Sequence, residues 1–216
     1  MSTLTKLALG MMGRLRPKPP SGDSASSIPL PPPEKRGGLP LMDALAQRRS
    51  SREFAPEALP LSLLSGLLWA AYGINRTDGG RTAPSALNAQ EVDLFLALPG
   101  GAYRYDAAAH ELRLVAAGDL RRVTGYQDFV DQAPLDLVYV ADHARMGMVP
   151  VAQRDTYAAV SAGAISQNVY LFAAGNGLAT VIRGWIDREA IASALGLSHD
   201  QQVLLSQTVG YPRASG

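Results

Sequence analysis

Five consecutive residues, Arg48-Arg49-Ser50-Ser51-Arg52, set three guanidinium groups and two hydroxyls between a helical run and a proline turn. Guanidinium forks and hydroxyls together make a cradle for phosphate, through charge-assisted and often bidentate hydrogen bonds. The same run also fits a solvated helix end, where cations gain ~0.3–1 kcal/mol from the macrodipole. A helix C-terminus repels phosphate, so a cradle there needs several cations. On these residues alone both readings stand. A second polar group follows in "RTAPSALNAQE", where Pro84, Ser85, Asn88 and Gln90 occupy a loop before a strand. Small residues allow close backbone approach, and Ser, Asn and Gln supply donors and acceptors suited to the polar edge of a flat heterocycle. Taken alone, the segment also reads as an ordinary turn closed by side-chain-to-backbone bonds.

Other chemistries are excluded by residue type. The chain has no cysteine, which removes disulfides, thiol catalysis and thiolate ligands. His110, His143 and His199 lie far apart, none at metal-ligand spacing, and each reads as a surface residue. There is no G-x-S-x-G elbow and no Walker sequence. "GNGLAT" (175–180) imitates a dinucleotide fingerprint but follows a helix and enters a strand, so its glycines read as a helix stop. The formal net charge is +1, too small to draw the protein to nucleic acid or an anionic membrane.

Around these residues the chain must build a frame. Its 216 residues fit one domain, or a domain with a tail, and can bury a sizeable core. Residues 1–38, rich in Pro, Ser and Gly, read as a flexible tail. The apolar stretch 7–13 is minimal for a signal peptide, and no apolar run approaches the ~20 residues of a membrane span; a cytoplasmic protein is expected. Pro40 pre-sets a helix to Arg48, and a second helix runs from Leu61 to a cap at Gly73. Alternation at Val92–Leu98, then Ala102–Tyr105 and Leu112–Ala117, predicts an antiparallel meander. Short helices are expected over 119–124 and 127–132, and a strand over 135–142. A long helix from Gln153 to Gly175, nearly all apolar from 158 to 174, belongs at the domain centre or in a subunit interface. A strand (179–182), a helix (187–195) and a last strand (203–209) complete an α+β fold.

Taken in order, "RRSSREF", "RTAPSALN", "GAISQNVYLFAAGNGLATVIRGWID" and "TVGYPR" resemble the nitroreductase family of flavoproteins over residues 39–213. The closest likeness is to the compact branch that includes the thiazole- and oxazole-forming dehydrogenases, although Leu87-Asn88 replaces that branch's glycine. The resemblance implies a mostly antiparallel sheet surrounded by helices, an FMN-binding domain over 39–216, and FMN held between the subunits of a homodimer. It implies that Arg48 and Ser50 bind the phosphate and ribityl end, with Arg49 assisting. Arg52 would reach the N1–C2 carbonyl edge, and Ser85 and Asn88 would line the ring with Pro84 or Gln90 adjacent. Ile182, Arg183 and Gly184 match the segment whose backbone N–H faces N5, and Arg213 would return to the phosphate. Arg52 and Gly184 are thus the expected catalytic positions. Trp185, beside that segment, is a candidate stacking residue. The implied activity is hydride transfer from NAD(P)H to a nitroaromatic, quinone or related acceptor. Two rivals are an FMN-dependent dehydrogenase or oxidase of a modified peptide or metabolite, and a flavin-binding module without turnover.

Overall fold

The computed structural model describes residues 1–19 and 25–213; residues 20–24 of the expected tail, and 214–216 of the expected domain, lie outside them. The elements are α1 (Thr3–Met11), β1 (Ser27–Pro29), α2 (Leu41–Gln47), α3 (Leu61–Tyr72), β2 (Val92–Leu98), β3 (Gly101–Asp106), β4 (Glu111–Ala117), β5 (Leu135–Asp142), α4 (Val151–Gly175), β6 (Ala179–Arg183), α5 (Arg188–Leu195) and β7 (Gln201–Gly210). All seven strands join one sheet in the order β1-β4-β3-β2-β5-β7-β6, and every pairing is antiparallel.

The alternation in sequence becomes two faces of that sheet. Leu94, Leu96, Leu137, Tyr139 and Val209 face α3 and α4 in one core cluster. Phe95, Ala97, Val138, Val140 and Val203 face the other way, against α5 and Leu15. Pro40, Pro60 and Pro150 stand at the starts of α2, α3 and α4, with φ of −51°, −57° and −55°. That fixed angle leads into a helix, and the missing N–H costs nothing where no intrahelical partner exists. Gly196, left-handed at φ 63°, stops α5.

The long helix α4 runs through the centre and buries Ala158, Ala162, Ile165, Val169 and Ala173 in one stripe. Its opposite side is open in the single chain, where Val160 is 65% exposed. No helix among the described residues is long and apolar enough to cross a membrane.

Three expectations need correction. Much of the segment before residue 39 is ordered, not a flexible tail: Thr3–Met11 is helical and Ser27–Pro29 pairs with β4. The cause is long-range, because the Lys6 ammonium is fully buried and bonds Asp131 Oδ1 at 2.9 Å and Gln127 O at 2.7 Å. The expected helix at 127–132 is a series of turns, and that at 119–124 shrinks to a 3-10 turn at Arg121–Val123; segments this short cannot repay helix nucleation. His110 is no simple surface residue. It is half-buried between Ser65 Oγ (2.7 Å) and Tyr105 OH (3.0 Å).

Candidate functional site

The arginine run leaves α2 and lies along the outer edge of β6, the last strand of the sheet. Ser51 N–H donates to Thr180 O at 2.9 Å. Tyr170, on α4, completes the join: its hydroxyl accepts from Ile182 N–H at 3.0 Å and lies 2.8 Å from Ser50 Oγ. With its oxygen accepting from Ile182, Tyr170 has its own proton for Ser50, which in that arrangement leaves the Ser50 O–H to point at a ligand. The Arg48 guanidinium stacks over the Tyr170 ring, 5.2 Å from its centroid. Phe54, 2% exposed, anchors the far side against Phe129 and Val181.

Arg48, Arg49, Ser51, Tyr170, Thr180 and Pro212 line an open cleft of about 490 Å³. No ion pair or side-chain hydrogen bond engages Arg48, Arg49 or Arg52 among the described residues. Guanidinium groups without a carboxylate partner are the donors that a phosphate takes, through charge-assisted and bidentate hydrogen bonds.

Alternation along β6 identifies a further donor. In an edge strand every second residue turns its N–H and C=O outward. Thr180 and Ile182 are the outward pair, engaged by Ser51 and Tyr170. Gly184 is next in that series; it is exposed and its N–H has no hydrogen bond among the described residues.

Arg183 turns the opposite way. Its side chain is 3% exposed, pairs with Asp136 at 2.7 Å and donates to Thr124 O at 2.8 Å. Burial pushes the Asp136 carboxyl upward, against the pull of Arg183. The Arg183 guanidinium is therefore committed to the core.

The 84–90 loop is braced from within. Gln90 Oε1 accepts from Arg81 Nε at 3.0 Å, and its Nε2 donates to Gly79 O and Asn88 Oδ1 at 3.1 and 3.2 Å. Gln90 N–H donates to Ser85 Oγ at 3.0 Å. Gln90 thus holds the loop and has little left for a ligand, whereas the Ser85 O–H and the Asn88 amide N–H₂ donate to no other side chain or backbone group among the described residues. Pro84, exposed, offers only shape. Leu87, Asn88 and Gln90 all have positive φ, of 53°, 53° and 50°, a conformation uncommon outside glycine that signals a loop shaped for a task. No hydrogen bond among the described residues joins this loop to 48–52.

Arg213 is drawn towards the cradle by the main chain, donating its N–H to Glu53 O at 3.2 Å, but its guanidinium goes to Gln132 Oε1 at 3.3 Å. Sequence reasoning missed Tyr170. The available signal was a tyrosine two positions after the polar island Ser166-Gln167-Asn168, in a helix rich in small residues.

Comparison with known proteins bears on the family and the fold. The profile of the "Nitroreductase family" matches residues 45–211. A Methanocaldococcus jannaschii protein named "Putative nitroreductase MJ1384" is 31% identical over 156 residues, 68% of this chain and 79% of its own. A crystal structure from Ralstonia eutropha, described as a putative nitroreductase, superposes with a TM-score of 0.89 at 49% identity, covering 93% of this chain and 96% of that one. One from Desulfovibrio desulfuricans, described as a putative nitroreductase in complex with FMN, shares the fold at a TM-score of 0.59 and 24% identity, over 82% of this chain and 89% of that one. With the profile spanning most of its length, this chain belongs to the nitroreductase family.

Proposed function

We propose that the protein is an FMN-dependent oxidoreductase that passes hydride from NAD(P)H to a nitroaromatic, quinone or related small acceptor. The observation that carries this reading is the row of three unpaired arginines beside the Ser50–Tyr170–Ile182 link, at the open edge of β6. When bound, FMN supplies the hydride acceptor and donor, leaving the protein to bind, orient and tune. Arg48 and Arg49 hold the phosphate, and Ser50, oriented by Tyr170, donates to the ribityl end. Arg52 places a fixed cation at the pyrimidine edge, which favours the reduced, more negative state. Ser85 and Asn88 offer donors to the ring's polar edge. The Gly184 N–H is the outward main-chain donor left for the reacting edge, a role that needs no particular side chain.

The site is completed in a homodimer. Leu41, Met42 and Val151 are 63%, 74% and 76% exposed in the single chain, alongside Val160 on the open face of α4. Large apolar side chains exposed in this number are candidates for an interface. Pairing across it also supplies a way to bring an arginine cradle and an 84–90 loop together. The test begins with the visible spectrum of the purified protein. A flavin spectrum, FMN released on denaturation, and NADH or NADPH oxidation coupled to p-nitrobenzoate or menadione are expected. Colourless protein that fails to take up added FMN would overturn the reading. Analytical ultracentrifugation should give a dimer; a monomer that retains its flavin would refute the shared site.

A further inference from the structure

Residues 30–38 run past α3 before the chain enters α2, and little of this strap is packed down. From Glu34 to Gly38 every residue is exposed. Two cavities, of about 520 and 300 Å³, flank it, and Lys35 and Trp69 line both. The Lys35 ammonium lies 5.3 Å from the centroid of the Trp69 ring. Gly37 and Gly38 follow with φ of 104° and 74°, a conformation that side chains disfavour and that leaves this point free to turn. A segment with few buried contacts and a hinge at one end opens at low cost.

The other end is fastened on His110. Leu30 N–H donates to His110 O at 3.1 Å, and the imidazole then joins three elements. Burial holds the Tyr105 phenol protonated, well above its ordinary range, so its O–H donates to His110 Nδ1 across 3.0 Å. That puts the neutral ring's proton on Nε2, which lies 2.7 Å from Ser65 Oγ and 3.2 Å from Pro31 O. Ser65 in turn donates to Pro31 O at 2.6 Å. A single run of donors, Tyr105 to His110 to Ser65, thus ends on a strap carbonyl.

Protonation of His110 breaks that order. Nδ1 gains a hydrogen that faces the Tyr105 O–H, where Tyr105 is 7% exposed and Ser65 fully buried. Lys35, on the strap, adds a like charge, and Arg81 acts on Tyr105 from the other side. Asp106 and Glu111, the acids of the His110 hairpin, are paired with Arg113. Burial, aided by Lys35 and opposed by the Pro31 carbonyl, holds the imidazole below its ordinary range. We propose that His110 is the pH-sensitive catch of a hinged strap: neutral, it holds residues 30–36 against α3; protonated, it lets them swing on Gly37–Gly38, joining the two cavities and uncovering Trp69. The hold is complete above the unfolded histidine value of about 6.5 and is lost as pH falls through the lower folded value.

The experiment uses the full-length protein with Trp185→Phe, in which Trp69 is the remaining tryptophan. Acrylamide, an uncharged quencher, reads the exposure of Trp69 from about pH 7.5 down to about pH 5, above the range in which most carboxylates titrate. Losing one hydrogen bond should raise the open population about twofold to tenfold, so quenching should rise as pH falls, with a midpoint below about 6.5. Nuclear magnetic resonance of the ring nitrogens should give His110 the same midpoint and place its neutral proton on Nε2. His110→Gln should abolish the pH step, and Ser65→Ala should leave quenching high at every pH. Lys35→Gln, an exposed change that spares the core, should raise the midpoint by removing the like charge. Quenching that stays flat while His110 titrates would overturn the proposal. So would a step of equal size in His110→Gln, or a His110 midpoint at or above about 6.5 in the otherwise unaltered protein.

Discussion

Arginines do opposite work in two regions of this molecule. Arg121 and Arg183 are buried and paired with carboxylates: Arg121 binds Asp119 with two nitrogens, at 2.9 and 2.7 Å, and Ala133 O with a third, and Arg183 binds Asp136 and Thr124. Arg48, Arg49 and Arg52 meet no carboxylate among the described residues, and Arg48 and Arg49 border an open cleft. The side chain is the same, so the difference lies in the partners. A guanidinium matched to acid braces a core, and one left unmatched at a surface remains available to a ligand.

The largest effect should come from breaking the buried set. Asp136→Ala strands Arg183 without its counter-ion, and removing one member of a buried pair costs about 3–5 kcal/mol. Urea unfolding should show that loss, and a midpoint near wild type would mean that Arg183 finds another acceptor. Arg48→Ala should do the reverse. Its stability should stay within about 0.5 kcal/mol, while FMN affinity drops about tenfold to hundredfold with the lost charge-assisted contact. Equal retention of FMN by wild type and variant, measured by fluorescence titration, would return the run to a solvated helix end.

Within the exposed set the arginines should also differ from one another. Arg52→Ala should lower the flavin reduction potential and slow reduction by nicotinamide even at saturating FMN. Arg52→Lys should restore part of the shift through its point charge. Equal potentials in wild type, Arg48→Ala and Arg52→Ala would make Arg52 one more phosphate contact. Tyr170→Phe is a smaller change. It leaves the Ile182 N–H unbonded and Ser50 unoriented, and should weaken FMN binding by about 0.5–1.5 kcal/mol, the range for one hydrogen bond.

The smallest effect concerns α1 and acid. Burial raises the Asp131 carboxyl, but Lys6 and Lys18 outweigh burial and hold it below the usual range. A depressed carboxylate contributes stability above its unfolded value, about 3.9, and loses that contribution as pH falls through the lower folded value. Limited proteolysis should therefore begin to cut residues 1–19 below about pH 4. Susceptibility independent of pH would show that α1 is held by apolar contacts alone.

What could be read from sequence follows the range of the forces involved. α2, α3, α4 and the meander were legible because proline starts and apolar periodicity are local. α1 was hidden, since the group that fastens it, Asp131, is 125 residues from Lys6. The arginine run announced itself by density. Arg183 could not be told from it by type, although strand parity with the buried Ala179 and Val181 would have put its side chain in the core. Gln90 looked like a ligand-facing amide because the backbone that absorbs its hydrogen bonds, at Gly79, belongs to another turn. Tyr170 showed only as a polar interruption until folding brought Ser50 and Ile182 to its hydroxyl.

The order of the strands also bears on biosynthesis. β7 comes after every other strand in the chain yet inserts between β5 and β6. While a ribosome is still making residues 201–210, β5 and β6 can exist only as neighbours with a gap between them. β6 has no other partner strand, so its outer rim, where Ser51 and Tyr170 dock, has no fixed position until β7 arrives. The anion cleft is therefore a late product of translation. Nascent chains stalled before residue 201 should not hold FMN, whereas chains with residue 213 clear of the exit tunnel should.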